Sequence, residues 1–208
     1  MIPRSRSWCL AVIGISLALA STDGAARQVP GPDHTATATF AGGCFWCMEP
    51  PFDALEGVIS TTSGYTGGTT PSPTYEQVSD GGTGHTEALR IVYDPSKVTF
   101  ATLLDVFWRN VDAVDGSGQF CDRGSQYRPA IFYHSDAQRQ QAEVSKERVA
   151  AQLGTPVAVQ IVSAGPFYDA EEYHQDYYRK NPVRYRFYKW NCGRDRRLEQ
   201  LWGKPQTP

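Results

Sequence analysis

The sequence predicts an α/β or α+β domain built on a central sheet, and three observations carry that prediction. Short β-prone runs alternate with helical segments along the chain. Two of the helical segments have a clear apolar face or clear end signals. The composition of the 208 residues, 40% hydrophobic and 20% charged, suits one packed domain and argues against disorder.

The N-terminus reads as an address. Arg4 and Arg6 precede the short apolar run Cys9 to Ala20, and Ala18-Leu19-Ala20 offers the small residues of a cleavage site. The run is too short to span a bilayer comfortably, although a retained anchor is the alternative. The expected organisation is a signal and processing region over 1–26, a linker over 27–34 and one domain over 35–208. It implies an exported protein, periplasmic or secreted, with no stable membrane association after cleavage.

Within the domain, Thr35 to Ala41 is β-prone and ends in Gly42-Gly43. A helix follows Cys44 towards Leu55, although Pro50 and Pro51 complicate its first turns and could delay its start to Trp46 or Cys47. Gly57 to Tyr65 reads as a second strand, and Pro71 to Gly84 as a loop with one helical turn around Tyr75. His85 to Tyr93 is the clearest strand. Phe100, Leu103, Leu104, Phe107 and Val111 share one helical face behind Thr99 as N-cap. Asp136 to Leu153 is an amphipathic helix opened by a Ser135-x-x-Gln138 capping box and stopped by Gly154, with strands at Arg128 to Tyr133 and Pro156 to Val162 on either side. From Gly165 to Trp202 the chain is aromatic and charged, which reads as short helices wrapped on the core.

A net charge of −2 argues against a dedicated nucleic-acid binder. The basic stretch Arg194, Arg196, Arg197 is broken by Asp195 and reads as a solvated helix face. Signal removal takes Cys9 and leaves Cys44, Cys47, Cys121 and Cys192. Four cysteines in an exported protein invite a reading of two structural disulfides. Cys44 and Cys47 are too close in sequence for a bridge between them to constrain much chain.

The densest chemical signal is Gly42-Gly43-Cys44-Phe45-Trp46-Cys47-Met48-Glu49. A cysteine between a strand and a helix start lies beside unpaired backbone N–H groups, which favour thiolate over thiol. Cys47 lies one helical turn on, within disulfide reach. The residues alone thus allow a redox or nucleophilic cysteine, a plain disulfide or buried thiols. They also allow a weaker zinc reading, which would recruit Cys121, Cys192, His85 or His174.

The string GCFWCME, followed in order by PTYEQVSDGGTGHTEAL, QFCDRGSQYRPAIFY and AGPFYDAEEYHQDYYRKNP, resembles the methionine sulfoxide reductase A family from Thr37 to Trp202. The resemblance implies a two-layer α/β sandwich, with a central mixed sheet, flanking helices and extensive coil. It implies reduction of the S epimer of methionine sulfoxide, free or in proteins, as repair after oxidation, with no metal and no organic cofactor. It makes Cys44 the nucleophile, Phe45 and Trp46 the methyl-binding aromatics, and Glu87 the acid. Tyr75, Asp122 and Tyr127 become the polar groups around the sulfoxide oxygen.

The residues suit those roles. Strand alternation puts Glu87 on the same side as Leu89 and Ile91, where burial raises a carboxyl pKa and keeps a proton available. A tyrosine hydroxyl can donate to a developing oxyanion from an apolar ring. His85 reads as structural, and Glu49 as a helix-surface or capping group. Attack by Cys44 leaves a sulfenic acid that a second thiol must condense with, and an external thiol reductant such as a thioredoxin then opens the disulfide.

Many family members carry glycine where Cys47 stands and use a distant C-terminal cysteine. Proximity makes Cys47 the first candidate for the resolving thiol, with Cys192 second and Cys121 third. The main alternative is an exported thioredoxin-like thiol-disulfide oxidoreductase, which would have no need of Glu87 or the tyrosines. A metal-binding or disulfide-stapled interaction module is a further alternative, and a monomer is the default state.

Overall fold

The computed structural model describes residues 34–204, so the signal region and all of the linker except His34 lie outside the described residues. Six strands form one mixed sheet in the order β7-β6-β1-β3-β2-β8. At its centre β1 (Ala36–Ala41) runs antiparallel to β3 (Thr86–Tyr93), which runs antiparallel to β2 (Val58–Thr66). On the other side of β1, β6 (Ala130–Tyr133) is antiparallel to it, and β7 (Gln160–Ser163) is parallel to β6. The β6–β7 pair needs a crossover, which α4 (Asp136–Leu153) supplies.

Ala38 and Phe40 of β1 with Leu89, Ile91 and Tyr93 of β3 form the apolar face that α1 (Phe45–Asp53), α3 (Phe100–Arg109) and α4 cover. Phe40 lies at its centre, with ring centroids 5.5 Å from Phe52, 5.9 Å from Phe100 and 5.0 Å from Phe107. Burial of four aromatic rings in one stack is a large share of the core's apolar payload.

The end signals act largely as read. Thr99 Oγ1 accepts from the Thr102 N–H, and Gly154 terminates α4 at φ 66°. The capping box at Ser135 is only half formed. Ser135 Oγ accepts from Gln138 N–H, but the Gln138 carboxamide reaches past Ser135 to accept from His134 N–H and to donate to Thr37 O. That side chain staples α4 to β1 instead of closing its own cap. Helix α1 begins at Phe45 in spite of Pro50 and Pro51, and Cys44 is its N-cap.

Two readings of the tail are corrected. Phe167–Asp169 is an edge strand, β8, paired with Gly64–Thr66 of β2. Gly64 permits it, because a Cβ there would lie 2.4 Å from the Phe167 ring and from the Tyr168 carbonyl. The helices follow as α5 (Tyr177–Lys180), α6 (Pro182–Asn191) and α7 (Arg194–Trp202). The basic stretch is not a solvated face throughout. Arg194 is buried, donates to the carbonyls of Gly42 and Asn110, and lies over the Phe120 ring at 4.4 Å. Arg197 pairs with Asp112 at 2.7 Å. These arginines bolt α7 onto the loops behind the cysteine turn, a use of charge that periodicity does not reveal.

Candidate active site

The site grows from the turn after β1. Gly43 sits at φ 80°, and a Cβ on it would approach Gln119 Cβ to 2.5 Å, so only glycine fits beneath that side chain. Buried Gln119 bonds on both sides of its amide, accepting from Asp112 N–H and donating to the carbonyls of Asp112, Asp115 and Gly118. It holds the small hairpin of β4 (Gly118–Gln119) and β5 (Asp122–Arg123) against the cysteine turn, which brings Asp122 beside Cys44.

Cys44, Phe45, Trp46, Tyr75, Glu87, Asp122, Tyr127 and Tyr188 line one cleft of about 80 Å³. Every residue expected to act on substrate is therefore in one place, together with one tyrosine that was not expected. The volume is far below what a nucleotide or drug-sized ligand fills and suits the tip of one side chain. Larger hollows between α3 and α4 and beside α7 are lined by no cysteine or histidine.

Glu87 continues the row of Leu89 and Ile91 to the end of β3, where Phe45 N–H donates to its Oε2 at 3.0 Å. Burial pushes its pKa up to about 8, against the pull of that N–H. Asp122 is also raised by burial. Cys44 is held well above the ordinary thiol value by burial first, then by its hydrogen bond with Cys47 and the neighbouring acids.

This corrects the expectation that the helix start favours a thiolate. The Cys44 and Phe45 N–H groups that would stabilise a sulfur anion are taken by Asp122 and Glu87. Burial and these acids therefore work against an anion at Cys44, and the hydrogen bond it shares with Cys47 lowers the Cys47 pKa instead.

The aromatic walls are fixed by groups for which the sequence indicated no part in the cleft, His174 having been weighed only as a zinc ligand. Trp46 Nε1–H donates to His174 Nδ1 at 3.0 Å, and its ring stacks on Tyr177 at 3.7 Å. Burial lowers the His174 pKa, which keeps Nδ1 free to accept. Tyr75 opens α2 (Tyr75–Ser79) behind a Thr74–Gln77 capping box, and its N–H donates to Glu171. The other oxygen of Glu171 accepts from the Tyr65 hydroxyl.

Tyr127 ends a 3-10 turn that Thr86 ties to β3 through the Gln126 carbonyl, and its hydroxyl has no protein partner among the described residues. The Tyr188 hydroxyl donates to Asp122 Oδ2 at 2.6 Å. Glu171, His174 and Tyr177 lie within the string AGPFYDAEEYHQDYYRKNP, which marked the segment but not their roles, and Tyr188 lies beyond it in an aromatic, charged and aperiodic tail.

The four cysteines among the described residues divide into two pairs. Cys44 and Cys47 are free, buried and hydrogen-bonded to one another. Cys121 and Cys192 form a disulfide at the rim beside Asp122, so the two more distant candidates for the resolving thiol are engaged with each other. Glu49, expected on a helix surface, is buried and accepts from Asp176 N–H. His85 is structural, as read: its ring bonds to Gly68 N–H and the Thr70 carbonyl. Cys121, Asp122 and Cys192 come within 4.8 Å of one another, but neither histidine joins them and the two sulfurs are already bonded.

A family model described as "Peptide methionine sulfoxide reductase" matches residues 36–206. The chain is 52% identical to the peptide methionine sulfoxide reductase MsrA of Bacillus licheniformis, over 80% of this chain and 93% of that protein. It is 47% identical to the peptide methionine sulfoxide reductase MsrA 2 of Caulobacter vibrioides, over 92% of this chain and 97% of that one. Among solved structures, reduced Mxr1 from Saccharomyces cerevisiae superposes with a TM-score of 0.69 at 36% identity, covering 73% of this chain and 88% of that one. The methionine sulfoxide reductase A of Corynebacterium diphtheriae gives 0.66 at 36% identity, covering 74% and 78%.

Proposed function

The chain belongs to the peptide methionine sulfoxide reductase family, and from that premise we propose that its cleft reduces the S epimer of methionine sulfoxide through Cys44. The protein is a thiol-dependent reductase that returns oxidised methionine to methionine, a protein-repair activity. The observation that carries the assignment of residues is the shared cleft of Cys44 and Glu87, a nucleophilic sulfur and an acid that keeps its proton to about pH 8.

Phe45 and Trp46 receive the S-methyl group, and the hydroxyls of Tyr75 and Tyr127 with the Asp122 carboxyl surround the sulfoxide oxygen. Cys44 sulfur attacks the sulfoxide sulfur while Glu87 protonates its oxygen, and the Cys44 proton replaces the one that Glu87 gives up. Oxygen moves to Cys44 as sulfenic acid and methionine leaves. Cys47, already hydrogen-bonded to Cys44, condenses with the sulfenic acid to give a disulfide and water. An external dithiol of thioredoxin type then reduces that disulfide by exchange.

The oxidised Cys121–Cys192 pair and the Arg4, Arg6 and apolar N-terminal pattern support an exported protein with a signal over 1–26, a linker over 27–34 and a catalytic domain over 35–208. One chain supplies every wall of the cleft, which supports a monomer as the working unit, and the net charge of −2 supports no role in nucleic-acid binding. Plain dithiol exchange would leave a buried acid and two tyrosines beside Cys44 without use.

The test is one equivalent of a methionine-S-sulfoxide peptide, without reductant, followed by peptide mapping. The expected product is one methionine with a Cys44–Cys47 bridge; when a thioredoxin-type reductant and excess substrate are then added, the wild type should recycle and Cys47→Ser should stop after a single turnover. Normal multiple turnover by Cys47→Ser would remove Cys47 from the resolving role.

A further inference from the structure

Helix α6 supplies Tyr188 to the cleft, yet none of its residues is buried. Its main neighbours are α5 and α7 rather than the sheet. Its outer face leaves Val183, Phe187 and Trp190 exposed at 71%, 65% and 75%. Apolar burial therefore does little to fix this helix, and local stability of such an element is low. Four contacts tie it to the catalytic body: the Tyr188–Asp122 hydrogen bond, a hydrogen bond between the Tyr188 hydroxyl and Cys44, an edge contact between Tyr188 and Trp46 at 5.8 Å, and the disulfide from its C-cap residue Cys192 to Cys121.

The covalent tie is placed to serve the first of these. Cys121 immediately precedes Asp122, and Cys192 lies one helical turn after Tyr188, its N–H bonded to the Tyr188 carbonyl. The bridge thus joins the neighbours of the two residues that share the hydrogen bond. The hairpin end it grips is itself unrelaxed, with Phe120 at φ 58° in the left-handed region. The catalytic cycle proposed above uses Cys44 and Cys47 and leaves this second pair without a task.

We propose that the Cys121–Cys192 disulfide is a removable strap that holds Tyr188 in the cleft as a further substrate-binding group, so that sulfoxide affinity depends on the redox state of a pair outside the catalytic cycle. This rests on the reading of the cleft as the sulfoxide site. Tyr188 lines the cleft beside Asp122, and its hydroxyl bond orients the Asp122 carboxyl towards the bound oxygen.

Cys121 is exposed and Cys192 half-buried, so a dithiol can reach the bond. A reductant thiolate attacks Cys121 sulfur, the S–S bond breaks, and Cys192 leaves as a thiolate and takes a proton. The second reductant thiol then displaces Cys121, giving two cysteine thiols and an oxidised reductant, a two-electron exchange. Opening the strap frees α6 and withdraws Tyr188.

The test is single-turnover kinetics with a methionine-S-sulfoxide peptide and no reductant, so that recycling does not enter. It compares the wild type, Tyr188→Phe, Cys121→Ser/Cys192→Ser, and the triple variant. The substrate concentration for half-maximal rate should rise about tenfold in Tyr188→Phe and in the double variant, the scale of one lost hydrogen bond, with the limiting rate within about threefold of wild type. In the strapless background Tyr188→Phe should add under about twofold. Wild-type affinity in the double variant, or a full tenfold effect of Tyr188→Phe on top of it, would overturn the strap.

Loss of multiple turnover with wild-type single-turnover affinity would instead make this pair part of recycling, which also overturns it. A wild type that forms no methionine would sink the reading of the cleft, a result separate from any difference among the variants. Wild-type protein that is fully reduced, freed of reductant, oxidised at Cys44–Cys47 by one equivalent of substrate, alkylated at Cys121 and Cys192 and then reduced again provides the same comparison if the double variant fails to fold.

Discussion

One face of strand β3 carries two chemistries a few residues apart. Towards its C-terminal end Leu89, Ile91 and Tyr93 press into the Phe40, Phe52, Phe100 and Phe107 stack. Towards its N-terminal end the same row presents Glu87 to Cys44, Asp122 and the tyrosines. Both ends are buried, but burial does opposite work in them. In the stack it removes apolar surface from water and stabilises the fold. In the cleft it penalises charge, so it keeps a proton on Glu87 at the expense of stability near neutral pH and opposes ionisation of Cys44. The difference teaches that substitutions at the cleft end should change chemistry without loosening the fold, and substitutions at the core end should do the reverse.

The sharpest test of that contrast is Cys44→Ser. Serine matches the shape closely but is a far poorer nucleophile towards sulfur, so sulfoxide reduction should vanish while the unfolding midpoint stays near wild type. Retained turnover would reject the assigned nucleophile.

Glu87→Gln comes next, with an expected loss of about 10²- to 10⁴-fold in rate and little change in substrate binding. The wild-type rate should fall as pH rises through about 8, where Glu87 gives up its proton, and the variant should lose that limb. Stability should move the other way. The folded pKa of about 8 lies above the ordinary 4.5, so the native state keeps a proton that the unfolded chain releases, and wild-type stability declines from about pH 4.5 to about pH 8. Glutamine has no such decline, and its advantage should grow across that window and level off above it. Parallel pH–stability curves for the two proteins would show that Glu87 is not protonated by burial.

At the core end Phe107→Ala should cost about 3–5 kcal/mol of stability, because a cavity opens against Phe40 and the ring stack collapses only partly. Activity per folded molecule should remain near wild type in a denaturation-corrected assay. A selective loss of rate at unchanged stability would erase the distinction between the two ends.

How much of this was legible follows the same division. Period-2 alternation placed Glu87 with Leu89 and Ile91, and 3.6-residue periodicity placed Phe100, Leu103, Leu104 and Phe107 on one face. Those signals report burial, and burial was what they had to find. The cleft's composition was legible through the motif strings, since Cys44, Tyr75, Glu87, Asp122 and Tyr127 do meet.

The protonation of Cys44 was not legible, because it depends on which carboxyls take the helix-start N–H groups, and those come from β3 and β5. Arg194 and Tyr188 were missed for a related reason. Their partners Gly42 and Asp122 lie far away in sequence, and a tail without a dominant apolar period gives no hint of which face is inside. The edge strand β8 left one trace, the glycine at position 64 inside an otherwise β-branched and polar strand.

Glu49 offers the finest division between the two ends, because it is buried like Glu87 but faces α5 instead of the cleft. One of its oxygens accepts from Asp176 N–H at 3.1 Å and the other has no protein partner. Burial pushes its pKa up to about 7. The native state therefore keeps a proton between the ordinary 4.5 and about 7, and wild-type stability falls as pH rises through that range. Glu49→Gln can still accept from Asp176 and cannot ionise. It should match wild type near pH 4 and exceed it above pH 7 by at most about 3 kcal/mol, the free energy of a shift of that size. Since Glu49 touches no wall of the cleft, the activity profile across the same range should be unchanged. A rate that changed with this substitution would mean that the proton on Glu49 is felt at Cys44 through the helix they share.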